Sequence, residues 1–244
     1  MNKKNNLIDS LKDKIKKKIN SFVETQDYKS LETPLKKSGQ IKDEFKRSLD
    51  SFLNPDHIVE QVTESVDLIY KNIKLVCDPT ESAKVRKELD DCNQRFAEYL
   101  NETLQGDKGE EKATYQQIFG FSDDSLLHIY HLANHFYNED IAKAKNILNL
   151  LIYLAPNISN FWVALGLCFL KEQRYEEGLA FFEMAEIINE DNPAAYVYRI
   201  VCLLETNHKK EALIELKKLE GLLNKNAELK KDWQEQIENL KRRI

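Results

Sequence analysis

The chain repeats itself. Between Phe119 and Asn224 the same arrangement of large apolar and small residues returns with a period of about 34 residues. The middle copy is the clearest. Trp162, Leu165, Gly166 and Phe169 mark one helix, Tyr175 follows in a turn, and Gly178, Phe182 and Ala185 mark the next. A shift of one period lands on Tyr196, Arg199, Ile200, Leu203, Lys209, Ala212, Leu216 and Leu219, which keeps most of the apolar spacing. The copy before it carries Ile129, Leu132, Ala133 and Phe136, then Ala144, Leu148 and Leu151, and its turn Asn138-Glu139-Asp140 is one residue short. A hairpin of two short amphipathic helices cannot cover its own apolar face. Stacked neighbours complete the burial, so at least three copies are needed. Gly166, Gly178, Ala133, Ala144 and Ala212 stand where helix backbones approach closely, and Pro156 and Pro193 stand where a helix must stop.

This is the tetratricopeptide repeat pattern. It predicts an all-α fold with three helix–turn–helix repeats at about residues 125–158, 159–192 and 193–226. Leu229, Trp233, Ile237 and Leu240 predict a capping helix over about 227–243 that covers the last open face. A generic antiparallel bundle is the competing architecture, and it does not require a fixed period.

Ahead of the repeats the spacing predicts about four helices. Leu7, Leu11, Ile15, Ile19 and Phe22 form the stripe of the first, whose other faces are rich in lysine. Ile41 to Leu53 is the second. Ile58, Val62, Val66, Ile69, Ile73 and Val76 form the stripe of the third, and about Glu81 to Leu104 is the fourth. Gln105 to Lys112 is charged, holds Gly106 and Gly109, and lacks apolar residues. It reads as a linker, giving an N-terminal helical region 1–108 and a repeat domain 113–244. Residues 1–50 carry a surplus of five positive charges. With a net charge of −5 for the whole chain, the remainder carries −10. A basic first helix can touch an anionic membrane surface, but a narrow stripe with one aromatic fits better with packing in a bundle. No run reaches the ~18 apolar residues of a membrane span, and no secretory signal is visible, so a cytoplasmic protein is expected. Cys77, Cys92, Cys168 and Cys202 show no metal-type spacing and read as core thiols of a reducing compartment.

Catalytic patterns are absent. The seven glycines are scattered, and there is no phosphate loop, nucleophile elbow or His-Glu-x-x-His. The expectation is therefore no enzyme, no catalytic residue, no cofactor and no metal. His128, His131 and His135 share one helix, with Asp124 and Glu139 a turn away, but a zinc site needs converging ligands. The acidic repeat region argues against nucleic acid.

The first helix of each repeat lines the concave side of such a stack. The positions turned inward are Tyr130, Asn134 and Tyr137, then Val163, Leu167 and Leu170, then Val197, Val201 and Leu204. This peptide-binding groove is apolar with tyrosines at one end, and it lacks the basic set that clamps a terminal carboxylate. It suits an extended peptide with apolar side chains. The alternative is that the chain's own N-terminal helices cover these positions.

The stretch Ile118-Phe-Gly-Phe-Ser-Asp-Asp-Ser-Leu-Leu-His-Ile-Tyr-His-Leu-Ala resembles the lead-in to the repeats of class II type III secretion chaperones, which hold translocator proteins. Asn134-His-Phe-Tyr, Ala142-Lys-Ala144, Phe161-Trp-Val-Ala-Leu-Gly, Tyr175-Glu-Glu-Gly and Asn189-Glu-Asp-Asn-Pro193 continue the likeness, over about residues 116–224. The resemblance implies a non-enzymatic bacterial cytosolic chaperone that binds an extended apolar segment of a translocator in its groove. Tyr130 and Tyr137 match groove aromatics of that family. Asn134 departs, since an aromatic is common there. The long N-terminal region departs further, and it could dimerise the protein, add a second cargo surface or cover the groove. The competing function is a tetratricopeptide scaffold or adaptor whose N-terminal helices serve as a dimerisation or second binding surface.

Overall fold

A computed structural model describes residues 20–31, 58–104 and 114–244, with isolated positions between 13 and 47. Most of the basic helix expected from Leu7 to Phe22, most of the helix Ile41 to Leu53 and the whole linker Gln105 to Lys112 lie outside the described residues. The described elements are helical throughout, without a strand among them. By compactness the chain divides into Met1–Phe22 with Leu53–Pro156, and Val23–Phe52 with Asn157–Ile244.

The first unit holds α1 (Ile58–Asn72), a 3₁₀ turn (Ile73–Leu75), α2 (Pro79–Leu104), the short α3 (Tyr115–Phe119) and the first repeat hairpin, α4 (Asp123–Glu139) with α5 (Ile141–Leu154). Helix α1 packs along α5, where buried Ser65 donates a hydrogen bond of 2.9 Å to the Asn146 carbonyl. Asp78 begins α2, its carboxylate accepting the N–H groups of Thr80 and Glu81 at 2.7 and 2.9 Å.

The lead-in to the repeats is built from caps. Thr114 and Gln117 form a capping box at α3. Gly120 then ends α3 at φ 70°, a left-handed conformation that glycine takes without a Cβ penalty. A side chain there would also displace the guanidinium of Arg95, on which its Cβ would fall. Arg95 Nη1 donates to the Phe119 carbonyl at 2.8 Å. Ser122 caps α4 by accepting from the Ser125 N–H, and its own N–H donates to Glu88 Oε2 at 3.0 Å. Lys84 and Asp124 pair at 3.0 Å. Helix α2 is thus tied by these polar contacts to the lead-in and start of the first repeat.

The second unit stacks α6 (Ser159–Lys171) on α7 (Tyr175–Ile188), then α8 (Pro193–Glu205) on α9 (Lys209–Asn224), followed by α10 (Ala227–Asp232) and α11 (Gln234–Arg243). The close approach expected at Gly166 is present: a Cβ would meet the Phe182 ring at 2.6 Å. At Gly178 a Cβ would lie 3.3 Å from the Gly166 carbonyl oxygen. Phe169 and Phe181 stack at 5.0 Å, with Trp162 at 6.3 Å from Phe181. Asn192, at the start of α8, donates to Ser159 Oγ and Asn160 Oδ1 at 2.9 and 3.0 Å, and Ser159 in turn donates to the Ala185 carbonyl. These bonds fix one hairpin against the next.

The turns explain the missing residue of the first copy. In the second and third repeats the turn contains Gln173 at φ 61° and Asn207 at φ 64°, one period apart. Each is followed by a 6→1 bond closing the first helix, Arg174 N–H to Phe169 and His208 N–H to Leu203. In the first repeat Asp140 alone separates α4 and α5, in extended conformation, and its side chain accepts from the Lys143 N–H. An extended cap takes the place of the left-handed turn.

The last repeat is covered as expected: Ile237 and Leu240 are buried against Tyr196, Ile200 and Leu219. The expected helix 227–243 is interrupted at Trp233, although the bonds Trp233 N–H to Leu229 and Ile237 N–H to Trp233 run through the break. From the N-terminal part, Val23, Tyr28 and Leu31 are buried in the same unit, and the 3₁₀ turn Lys29–Leu31 packs on α7.

Candidate functional site

The first helices of the repeats carry the expected groove positions. Tyr130, Asn134 and Tyr137 recur every three to four residues on α4. Asn134 is exposed, and the two tyrosines are half-buried. In the second unit Val163, Leu167 and Leu170 line one face of α6, and Val197, Val201 and Leu204 the equivalent face of α8. The two helices touch, so the stripes are neighbours. Val163 and Val197 are 6% and 4% exposed, whereas the other four are half-buried. The accessible part of each stripe is therefore its C-terminal half.

The three histidines of α4 do not converge. His128 turns toward Glu81 of α2, with Nε2 3.5 Å from Oε1. His131 is exposed and lies edge-on to His128. His135 faces Glu139 at 3.4 Å.

The periodicity also hides a charged cluster. Arg199 occupies the position that Leu165 holds one period earlier, and it is 3% exposed. Its guanidinium lies 2.8 Å from Glu186 and 3.5 Å from Glu183, both on α7, and 2.9 Å from Glu215 on α9. Lys218 approaches from the rim, 3.0 Å from Glu215. Among the described residues, these three carboxylates face one buried arginine and one half-exposed lysine. Burial, helped by the negative charge of Glu215 and opposed by Arg199, pushes the Glu186 carboxyl up to about 7. Burial acts to lower the Arg199 pKa, but the attraction of Glu186, Glu183 and Glu215 outweighs it and the net shift is upward. The signal was present in the sequence as charged residues in a register otherwise apolar.

Cys168 and Cys202 are buried free thiols one period apart, and burial pushes Cys202 up to about 12. Such thiols are unreactive at neutral pH. No helix among the described residues is long and apolar enough to cross a membrane.

Helical hairpins of this kind, stacked, capped and presenting apolar first helices, define an all-α tetratricopeptide-like repeat protein. The chain has the fold of the Yersinia enterocolitica type III secretion translocator chaperone SycD, with a TM-score of 0.50 and 21% identity over 54% of this chain and 98% of that one. A CopN–Scc3 complex aligns at TM-score 0.48 and 26% identity, over 57% of this chain and 84% of that one. A type III secretion complex from Aeromonas hydrophila aligns at 0.47 and 20%, over 57% and 93%. No family model and no curated protein matches the chain.

Proposed function

We propose that the protein is a non-enzymatic cytoplasmic chaperone that binds an extended apolar segment of a type III secretion translocator or a similar export substrate. The observation that carries the reading is the fold match to SycD, which takes in 98% of that chaperone. The contacting residues are Tyr130, Asn134 and Tyr137 on α4 of the first unit and, on the second unit, the accessible Leu167 and Leu170 of α6 and Val201 of α8, with Val163 and Val197 buried beneath them. The half-buried Leu167, Leu170 and Val201 supply apolar contact surface, and the tyrosines supply large contact area at small entropic cost. Binding needs no cofactor, because the work is to shield apolar surface rather than to make or break bonds. Co-production of the full chain with a translocator from the same source tests this. The expected result is a soluble complex that co-elutes on gel filtration; a translocator that stays aggregated beside an unbound chain opposes it.

A second reading, a repeat scaffold or adaptor, draws on the burial of Val23, Tyr28 and Leu31 in the second unit. Residues from the N-terminal part already occupy surface on α7, as they would in a permanent assembly platform or a dimer built through that region.

A further inference from the structure

We propose that Cys77, Glu81 and His128 form a binding site for a borderline-soft divalent cation, zinc in the first place. The three come from separate elements of the first unit: the turn after Ile73–Leu75, the first turn of α2, and α4. The Cys77 thiol, a Glu81 carboxylate oxygen and a His128 ring nitrogen lie within 4.8 Å of one another. Thiolate, imidazole and carboxylate together are a donor set suited to zinc. Tetrahedral zinc, with bonds of about 2.0–2.3 Å, sets its ligand atoms roughly 3.3–3.6 Å apart. His128 Nε2 and Glu81 Oε1 already stand 3.5 Å apart. Closing the remaining edges asks the thiol to swing by about 1 Å, a side-chain rotation well short of backbone movement. The thiol now donates only to the Ile73 carbonyl, at 3.2 Å.

The surroundings hold the ligands in place. Glu81 Oε2 accepts the Asp78 N–H at 3.1 Å, which orients the carboxylate and leaves Oε1 directed at His128. Hydrogen bonding of this kind to a ligating carboxylate supports a metal site. His128 Nδ1 is shielded from solvent without a hydrogen-bond partner among the described residues. A buried ring nitrogen left in that state costs free energy; ligation through Nδ1 would satisfy it, whereas ligation through Nε2, the atom 3.5 Å from Glu81, leaves it unpaired. Cys77 also lines an open cleft of about 570 Å³ between α2 and the preceding turn. Three protein ligands leave a fourth position for water. A cation there ties α2 to the first repeat helix, reinforcing the Glu81–His128 contact beside those of Arg95, Glu88 and Lys84.

Cobalt(II) titration of the chelator-treated full chain tests the site, since four-coordinate cobalt absorbs strongly in the visible and a cobalt–thiolate bond adds a near-ultraviolet charge-transfer band. The expected result is saturation at one equivalent with both features, displaced by zinc. Cys77→Ser should abolish the charge-transfer band, and His128→Gln should weaken binding at least tenfold. Cys92→Ser and His131→Gln should leave the spectrum unchanged. A weak octahedral spectrum, or a thiolate band that survives Cys77→Ser, overturns the proposal. Circular dichroism checks that each variant is folded. If Cys77→Ser is not folded, unchanged affinity in His128→Gln overturns the proposal by itself.

Discussion

Replacing Arg199 by methionine should destabilise the second unit by an amount that depends strongly on pH. The substitution keeps an unbranched apolar side chain but removes the guanidinium that pairs with Glu183, Glu186 and Glu215, of which the last two are fully buried. Lys218 remains, 3.0 Å from Glu215 and 3.9 Å from Glu186, and it cannot neutralise all three. The cluster must then take up at least one more proton to fold. A glutamate with an ordinary pKa of 4.5 resists protonation by about 1.4 kcal/mol for each pH unit above that value. The cost is about 5 kcal/mol at pH 8 and about 1.4 kcal/mol at pH 5.5. The larger figure matches the roughly 3–5 kcal/mol lost when a buried ion pair is broken on one side. Urea unfolding followed by tryptophan fluorescence measures it, because Trp162 and Trp233, the chain's two tryptophans, both lie in this unit. An equal loss of stability at the two pH values would refute the reasoning, since a purely steric effect of the substitution has no reason to vary with protonation.

The unaltered chain should show a related trend. Because Glu186 sits near pKa 7 when folded and near 4.5 when unfolded, its stabilisation is complete below 4.5 and is lost as pH rises through 7, with a slope of up to about 1.4 kcal/mol per unit between those values. Glu186→Gln should flatten that part of the profile, and a profile that keeps its slope counts against the assignment. Gly166→Leu should lower the melting temperature of the second unit sharply, because even a Cβ meets Phe182 at 2.6 Å and overpacking costs about 1–3 kcal/mol or more; a melt at the parent temperature contradicts the register.

What could be read from the sequence follows from what is periodic. Helix boundaries, the close approach at Gly166 and the cap by Ile237 and Leu240 are local or nearest-neighbour consequences of a 34-residue pattern, so the order of residues carries them. The turn at residues 120–123, a left-handed glycine followed by a serine cap, is likewise a short-range device. The contacts of α1 and α2 were not, because they pair residues far apart in sequence, such as Ser65 with Asn146 and Glu88 with Ser122, and no period marks them. His128 illustrates the difference. Its helix suggested a set with His131 and His135, whereas its neighbours in space are Glu81 and Cys77. Arg199 misleads in the opposite direction, a charge in an apolar register whose three partners sit on two other helices.

The most direct test of the peptide-binding account is a fluorescence anisotropy titration of the full chain with a labelled apolar, leucine-containing segment of a translocator, repeated with Tyr137→Ala. The account requires saturable binding that a scrambled peptide does not reproduce. It also requires Tyr137→Ala to weaken that binding by about 2 kcal/mol, or roughly thirtyfold, with helix content unchanged. Absence of saturable binding, or an affinity indifferent to Tyr137, would contradict it.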